Sequence, residues 1–436
     1  MNTNSDLYSW FTFPTLNPEY NVYWYDGPIP SFQSLVAWFV DFLYEIPPLY
    51  YILAVFLVFV LTFIYIKCRF PFWNTQPVLH TYDLWRRSGI VSIFPQKTRF
   101  YDHTGATETR FWRDLASKSL EDICMLLQNY WIPTDQLFCS IQVPDLASQF
   151  AGHSQPPIAT FYNEIVYPMP EEHPNRIGVV ISRPLTFYSK QTDPISIYYM
   201  DYLCIRRENA TVENTRTLFQ THEYNMRILN PEINVSLFKK EVELIDGVVP
   251  LVEYRSYTFY LRNLKLRSLP TDFQIARVQR ENVGLLHDFL GQVAKTVFDV
   301  AMLADVGSLL TLLKDNQMFM YVLKRGDQVF AMYWFKNAHV KSDAEALGDT
   351  LHFVASYRNT ENVDLFSLGF SHSLRMLLRE RRDFRMLMMD DLAHNRGIVE
   401  LWTTTHDVIV ETKCAYYLYN YVYGEKVERD RYFMLV

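Results

Sequence analysis

The apolar positions of this chain follow different patterns along its length, and the first clear one is an unbroken apolar run. Leu49 to Ile66, LYYILAVFLVFVLTFIYI, is eighteen residues without a charge. At about 1.5 Å per residue, a helix of this length nearly crosses the ~30 Å hydrocarbon core of a bilayer. A buried core helix is the alternative, but such a helix rarely stays apolar on all sides over this length. The run predicts a transmembrane helix over residues 49–66.

The charges that flank this run predict its orientation. Residues 1–48 are aromatic and acidic and contain no Lys or Arg, whereas Lys67, Arg69, Arg86 and Arg87 follow the run. The cytosolic flanks of membrane spans are enriched in cations. We therefore expect a single-pass membrane protein with residues 1–48 on the non-cytosolic side and the long C-terminal part in the cytosol.

Beyond residue 70 the pattern alternates between strand and helix periods. Strands are predicted at Ile177–Ile181, Thr186–Ser189, Ser196–Ile205, Val252–Leu261 and Gln328–Phe335. Helices are predicted at Ser117–Tyr130, Glu213–Met226, Asn282–Phe298 and Leu365–Glu380. This alternation favours an α/β or α+β fold. A turn-rich, proline-containing stretch at residues 263–272 is a candidate domain boundary, which divides the soluble part into 70–265 and 266–436.

Composition narrows the class of protein. With 49% hydrophobic residues, 16% aromatic residues and only 14 Gly, the chain fits strand-rich aromatic packing better than a glycine-looped nucleotide fold. The net charge of -7 argues against a nucleic-acid partner, which normally needs a basic face. Five cysteines without a C-x-x-C spacing suggest neither a disulfide framework nor a metal site. The sequence also lacks a G-x-S-x-G elbow, a P-loop, an H-E-x-x-H pair and a dinucleotide fingerprint.

Three short blocks carry more specific information. They are F-W-N-T-Q-P-V at residues 72–78, D-Y-L-C-I at 201–205 and Y-Y-L-Y-N at 416–420, and the sequence given ends F-M-L-V. These blocks resemble the glycylpeptide N-tetradecanoyltransferases, or N-myristoyltransferases, which carry F-W-x-T-Q-P-V, N-F-L-C-V and Y-Y-L-Y-N and end in hydrophobic residues. The resemblance covers roughly residues 70–436. It implies two tandem acetyltransferase-like (GNAT) halves after the single membrane helix.

The resemblance also implies a reaction, in which myristate passes from myristoyl-CoA to the N-terminal glycine of a protein. The backbone amides of Tyr202 and Leu203 would form the oxyanion hole, since fixed backbone donors stabilise a developing oxyanion. The terminal carboxylate of Val436 would be the general base that deprotonates the glycine ammonium. The expected partners are therefore an acyl-CoA, peptides with an N-terminal glycine, and the membrane.

Binding residues follow from the same resemblance. The residues implied for the cofactor, myristoyl-CoA, are Phe72, Trp73, Arg206, Arg207, Thr211, Glu213, Asn214 and Thr215. The residues implied for the peptide substrate are Tyr130, Asp135, Phe138, Tyr260, Asp391, Glu411, Tyr416 and Tyr417.

Several positions depart from the family pattern. The basic R-S-K-R-L-A-P run that holds the coenzyme A pyrophosphate in the family is replaced by A-T-V-E-N-T-R at residues 210–216, and Glu213 adds a negative charge. The three glycines that precede Y-Y-L-Y-N in the family are missing, and Leu261 replaces a histidine. Two hypotheses therefore stay open: an active transferase, and a catalytically inactive relative that binds a lipid or peptide or assembles at a membrane.

Overall fold

The computed structural model describes residues 47–83, 85, 87–132, 137–165, 174–262, 267–279, 289–290, 296–342 and 348–436. Helices and strands alternate through this part of the chain, which confirms the mixed α/β class. The chain divides into two compact units, residues 1–68 and residues 69–436. The division of the second unit at residues 265/266 stays a prediction.

The described part of the first unit is the helix α1 (Pro48–Arg69), of 22 residues, whose last residue is the first of the second unit. It includes the whole predicted run Leu49–Ile66. Its most apolar 18-residue window has a mean hydropathy of 2.6, and none of that window is buried. Among the described residues this is the one helix long and apolar enough to cross a bilayer.

The second unit is built around strands. They are β1 (Gly89–Ile90), β2 (Thr107–Phe111), β3 (Leu137–Cys139), β4 (Ile158–Asn163), β5 (Arg176–Ser189), β6 (Ile195–Ile205), β7 (Ser236–Glu241), β8 (Val252–Tyr260), β9 (Gln274–Val278), β10 (Val300–Leu303), β11 (Met318–Arg325), β12 (Gln328–Ser342), β13 (Asp349–Arg358), β14 (Phe384–Asp390), β15 (Val408–Tyr419), β16 (Tyr421–Val422) and β17 (Tyr432–Leu435). All five predicted strands lie on or overlap these strands.

Six described helices of the second unit pack on this sheet or connect its strands. They are α2 (Ser117–Tyr130), α3 (Val143–Gln149), α4 (Val212–Leu229), α5 (Val306–Lys314), α6 (Val363–Glu380) and α7 (Asn395–Thr405). Three of the predicted helices are confirmed as α2, α4 and α6. The fourth, Asn282–Phe298, lies mostly outside the described residues.

One folding pattern occurs twice in the second unit. In the first half, β4, β5 and β6 form an antiparallel meander, and α4 leads to β7, which is parallel to β6. In the second half, β11, β12 and β13 form the same meander, and α6 leads to β14, which is parallel to β13. Both connecting helices have 18 residues.

The two halves exchange strands β8 and β15. The strand order through the centre of the sheet is β5-β6-β7-β15-β8-β14-β13-β12. β15 of the second half therefore lies between β7 and β8 of the first half, and β8 lies between β15 and β14. The exchange joins both halves into one continuous sheet. The ends of β6 and β7 lie near the centre of that sheet.

Candidate functional site

A gap opens between β6 and β7, the two parallel strands of the first half. Their pairing runs from Tyr198/Ser236 to Met200/Phe238 and stops there, although β6 continues to Ile205 and β7 to Glu241. The cause lies in the β5/β6 ladder, where Ile181 opposes Tyr202 but Ser182 opposes Met200. Asp201 is therefore the extra residue of a β-bulge, and a bulge bends its strand away from a neighbour.

The second half has an equivalent bulge, but its gap is closed. Val354 is the extra residue of β13, because Trp334 opposes Ala355 and Phe335 opposes Phe353. There the Asn395 side chain, at the start of α7, donates to the backbone oxygen of Val354 at 3.2 Å. Of these two bulges, the first is therefore the better candidate for binding an external ligand.

Strand geometry decides which backbone donor faces the first gap. The Arg206 N–H donates to the Ile177 oxygen of β5 at 2.7 Å. Because donors alternate sides along a strand, the N–H groups of Cys204 and Tyr202 also point toward β5, whereas that of Leu203 points toward the gap. Among the described residues we find no hydrogen-bond partner for the Leu203 N–H. Of the two amides implied for the oxyanion hole, Leu203 therefore has the suitable direction, and the role of Tyr202 stays a prediction.

The Tyr202 side chain belongs to the hydrophobic core that β6 shares with helices α2 and α3. Its hydroxyl donates to the Gln149 side chain at 2.8 Å, and Trp131 packs edge-on against its ring. Burial raises the pKa of Tyr202 well above its usual value, and the charge of Asp201 adds to this effect. The side chain is a structural anchor for the strand that carries the gap.

The residues implied for coenzyme A gather where β6 leads into α4. Thr211 caps α4, and its hydroxyl accepts the Asn214 N–H at 3.1 Å. The Asn214 side chain accepts from the Tyr162 hydroxyl and donates to the Asn209 oxygen. A helix N-terminus attracts anions, but Glu213 in the first turn opposes this attraction.

Cations near this helix start are few. Arg206 binds the Asn175 side chain and the Arg176 oxygen, at 3.2 and 3.3 Å. Arg207 and Thr215 lie close by in the chain, Arg207 in a short 3-10 turn and Thr215 on α4, where its hydroxyl donates to the Thr211 oxygen. The residues converge, yet the positive charge expected of a pyrophosphate site is largely missing.

Phe72 and Trp73 pack against α4 and β7. Trp73 stacks on Phe238, with ring centroids 5.8 Å apart, and meets Phe219 of α4 edge-on. The Arg216 guanidinium lies over Phe72 at 5.6 Å. Because Phe238 is the last β7 residue that pairs with β6, these rings form one wall beside the gap.

Two of the sequence blocks that carry the resemblance are in direct contact. The Tyr419 hydroxyl donates to the Gln76 side chain at 2.9 Å, and the Asn420 N–H donates to the Pro77 oxygen at 2.7 Å. Tyr417, implied as a substrate residue, stacks on Phe238, and its hydroxyl accepts the Ile245 N–H. The Y-Y-L-Y-N block thus ties the F-W-x-T-Q-P-V segment to the sheet, so part of the resemblance is explained by packing.

We call the face of the sheet that carries Tyr199, Tyr254 and Tyr416 the inner face. A charged cluster lies on this face beside the gap, where Arg183 is opposite Tyr199. Arg183, which is 1% exposed, pairs with Asp201 of the bulge, with a nitrogen to oxygen distance of 2.5 Å. Lys336 of β12 faces this pair. Burial lowers the pKa of Lys336 to about 7, with help from the charge of Arg183, while Asp201 opposes the change.

Lys239 is the first β7 residue beyond the strand pairing and extends this cluster. Its ammonium pairs with Glu241 at 2.6 Å. Burial alone would lower its pKa, but the carboxylates of Glu241 and Asp390 outweigh burial and raise it. Burial would raise the pKa of Asp390, but His352 and Lys239 hold it at about 2. The cluster therefore holds groups of both charge signs.

Tyr416, another implied substrate residue, is buried within this inner face. Its ring stacks on Tyr254 and Tyr432, with centroids 5.4 and 5.5 Å apart. Two implied acids, Asp391 and Glu411, both bind Arg255: Asp391 accepts its backbone N–H at 2.7 Å, and Glu411 pairs with its guanidinium. Because Arg429 also pairs with Asp391, these acids are already neutralised within the chain.

The other implied substrate residues lie apart from this group. Tyr130 ends α2 and Phe138 lies on β3, which pairs with β12. Tyr260 ends β8, under the guanidinium of Arg262 at 4.8 Å. Asp135 lies outside the described residues. Tyr416 and Glu411 both lie on β15, five residues apart, and Asp391 follows β14. The described residues therefore form no common site for the eight implied substrate positions.

Val436 follows β17, which pairs in parallel with β10. It is 8% exposed, and the preceding residue accepts the Ala304 N–H at 2.9 Å. Tyr432 of the same strand stacks on Tyr416. The last strand is therefore an edge strand whose Tyr432 side chain reaches the inner face. The role of the Val436 carboxylate stays a prediction.

Sequence reasoning did not single out Arg183, Lys239, Lys336 or Asp390. A signal was present, because each is a charged residue within a strand that is otherwise largely buried. Such residues are rarely buried without a partner, so their positions mark a polar interior.

Comparison with known proteins shows the fold. No protein-family model matches the chain, and no curated protein matches its sequence. The structure is similar to N-myristoyltransferase of Saccharomyces cerevisiae with bound myristoyl-CoA. One such structure is 11% identical, covers 82% of this chain and 94% of its own, and has a TM-score of 0.60. A second is 12% identical, covers 82% and 89%, and has a TM-score of 0.63. At this identity the shared property is the fold: the chain has the fold of N-myristoyltransferase.

Proposed function

We propose that this chain is an acyltransferase that takes an acyl group from an acyl-CoA thioester. The observation that carries the proposal is the Leu203 N–H, an unpartnered backbone donor that points into an open gap between two parallel strands. A donor fixed in this way suits the oxygen of a thioester carbonyl, on which negative charge develops during attack. The aromatic wall of Phe72 and Trp73 and the start of α4 lie beside the same gap.

The more specific proposal is that the acyl group is myristate and the acceptor is an N-terminal glycine. It is supported by the sequence blocks and by the likeness to a yeast protein that binds myristoyl-CoA. In this reaction the glycine nitrogen attacks the carbonyl carbon, the carbon–sulfur bond breaks, and the thiol of coenzyme A leaves. We assign removal of the glycine proton to the carboxylate of Val436. A membrane anchor through α1, with the second unit in the cytosol, completes the proposal.

Substitution of a single backbone atom tests the oxyanion role. Replacing the amide that precedes residue 203 by an ester removes the Leu203 N–H and keeps the side chain. We expect the rate of transfer from myristoyl-CoA to a glycine peptide to fall roughly 100-fold or more, with binding of myristoyl-CoA little changed. The matched control is the same replacement at Ile205. Its N–H points to the same side of β6 as that of Leu203, two residues further along the strand. An equal rate in both variants would refute the role of Leu203.

The base is tested by adding two alanines after Val436. Each extended residue spans about 3.3–3.6 Å, so the carboxylate moves beyond the roughly 2.6–3.2 Å that proton transfer requires. We expect transfer to be lost while myristoyl-CoA still binds. An amide at the terminus of the unextended chain is the control, because it removes the charge without adding length. Unchanged transfer in the extended protein would reject Val436 as the base.

A second function, binding without transfer, is favoured by one specific observation. Glu213 occupies the first turn of α4, where a pyrophosphate would need positive charge, and the nearby Arg206 is already hydrogen-bonded. A protein that binds myristoyl-CoA, folds normally and transfers nothing would establish this function. Glu213→Lys should then strengthen binding of coenzyme A by a few tenths to about 1 kcal/mol. Glu232→Lys, at an exposed position beyond the end of α4, is its control.

A further inference from the structure

Three large apolar side chains of the second unit are exposed close together in the chain. Ile90, Ile93 and Phe94 have exposed fractions of 53%, 73% and 77%. We call these three residues the apolar loop. Large exposed apolar side chains grouped in this way usually mark an interaction surface.

The apolar loop is held firmly at its base. Ile90 of β1 pairs with Tyr421, and the Ser92 N–H donates to the Asn420 side chain at 2.8 Å. The Asn420 side chain donates back to the Ser92 oxygen at 2.9 Å, and the Arg227 guanidinium donates to the same oxygen at 2.7 Å. The two residues that follow, Ile93 and Phe94, are thus presented to solvent by a fixed backbone.

The cations around the apolar loop indicate which kind of surface binds there. Residues 84–101, between Asp83 and Asp102, contain four cations and no acidic residue, in a chain whose net charge is -7. Of these cations, Arg87, Lys97 and Arg99 are exposed. A second copy of the chain would bring like charges together, whereas an anionic bilayer surface offers the opposite charge.

The position in the chain favours the same occupant. The apolar helix α1 ends at Arg69, and the apolar loop begins at Ile90, about twenty residues later. Trp85, between them, is 92% exposed, and tryptophan is enriched at membrane interfaces. Exposed apolar side chains next to cations are also the pattern of surfaces that lie on anionic lipid.

We propose that the apolar loop inserts into the surface of an anionic bilayer and docks the second unit there. This docking goes beyond the proposed acyl transfer and does not depend on it. It adds a lipid contact that is separate from any span made by α1.

The experiment uses the full chain in liposomes, with exposed Cys68 replaced by Ser, so that the buried cysteines stay unlabelled. An environment-sensitive fluorophore is attached to Ile93→Cys, and in a matched control to Val242→Cys, since both positions are 73% exposed. Spin-labelled lipids then report contact with the bilayer. In vesicles of phosphatidylcholine with phosphatidylserine, we expect quenching at position 93 and none at position 242.

Two changes should abolish the signal at position 93. Phe94→Asp places a charge in the apolar loop, and vesicles without phosphatidylserine remove the anionic partner. High salt should weaken the quenching, because exposed charges are screened. Equal quenching at positions 93 and 242, or none at 93, would overturn the proposal. A blue shift at position 93 without quenching by lipid would also overturn it, because the cover would then be protein.

Discussion

Glu223 of α4 provides the sharpest test of the electrostatics in the interior of the second unit. Its side chain is 1% exposed, and one carboxylate oxygen accepts the Ser236 hydroxyl of β7 at 2.8 Å. The other oxygen is buried and has no hydrogen-bond partner among the described residues. Burial raises the pKa of Glu223 from 4.5 to about 7, although Ser236 and Arg227 oppose the change. The residue links α4 to β7, the helix and strand beside the gap.

The raised pKa fixes the sign of the pH dependence. Between pH 4.5 and 7 the folded protein keeps a proton that the unfolded chain has lost, so the free energy of unfolding falls as pH rises through this window. The shift of about 2.5 units corresponds to roughly 3 kcal/mol at ~1.4 kcal/mol per unit. Glu223→Gln removes the titrating group. The stability difference between the variant and wild type should therefore increase by about 3 kcal/mol, in favour of the variant, from pH 4.5 to pH 8.

Thermal unfolding of the purified full chain at pH 4.5 and pH 8 measures this difference. We expect the Tm advantage of Glu223→Gln to increase by about 3–6 °C between the two pH values. Glu121→Gln, on the exposed side of α2, is the control and should show no such change. A Glu223→Gln protein whose Tm differs from wild type by the same amount at both pH values would refute the raised pKa.

Three further predictions concern stability. Tyr419→Phe leaves the buried oxygen of Gln76 without its donor and should cost about 1–3 kcal/mol by chemical denaturation; no loss would mean that water replaces the hydroxyl. Burial lowers the pKa of Lys336 to about 7, so wild-type stability should rise between pH 7 and 10, and Lys336→Met should remove that rise. Gly152→Ala should destabilise the fold by at least about 1 kcal/mol, because its φ is +74° and a Cβ would lie 2.4 Å from the Gly307 oxygen; an unchanged Tm would show that the backbone yields there.

Elements with a strong local pattern could be predicted from the sequence. Helix α2 begins and ends at the predicted residues, Ser117 and Tyr130, because its apolar positions repeat at helical spacing. Strand β6 contains the whole predicted strand Ser196–Ile205. The order of strands was beyond reach, because the alternation of β8 suits several neighbours, and β7 and β15 do not alternate at all.

The candidate site was predicted only in part. The gap-facing amide of Leu203 was expected from the D-Y-L-C-I block, but the bulge at Asp201 depends on the register with β5, which the sequence does not reveal. The ion pair of Arg183 with Asp201 joins neighbouring strands, and Lys336 comes from the other half. Long-range contacts of this kind arise only when the sheet has formed.

The exchange of β8 and β15 has a consequence for synthesis of the chain on the ribosome. When Tyr260 has been made, β7 and β8 still lack the strand that lies between them. That strand, β15, ends at Tyr419, about 160 residues later. At ~5–20 residues per second this takes roughly 8–30 s, during which the edges of β7 and β8 are exposed to aggregation. We therefore expect a nascent chain of this protein to benefit from chaperones that cover these strand edges until β15 has been made.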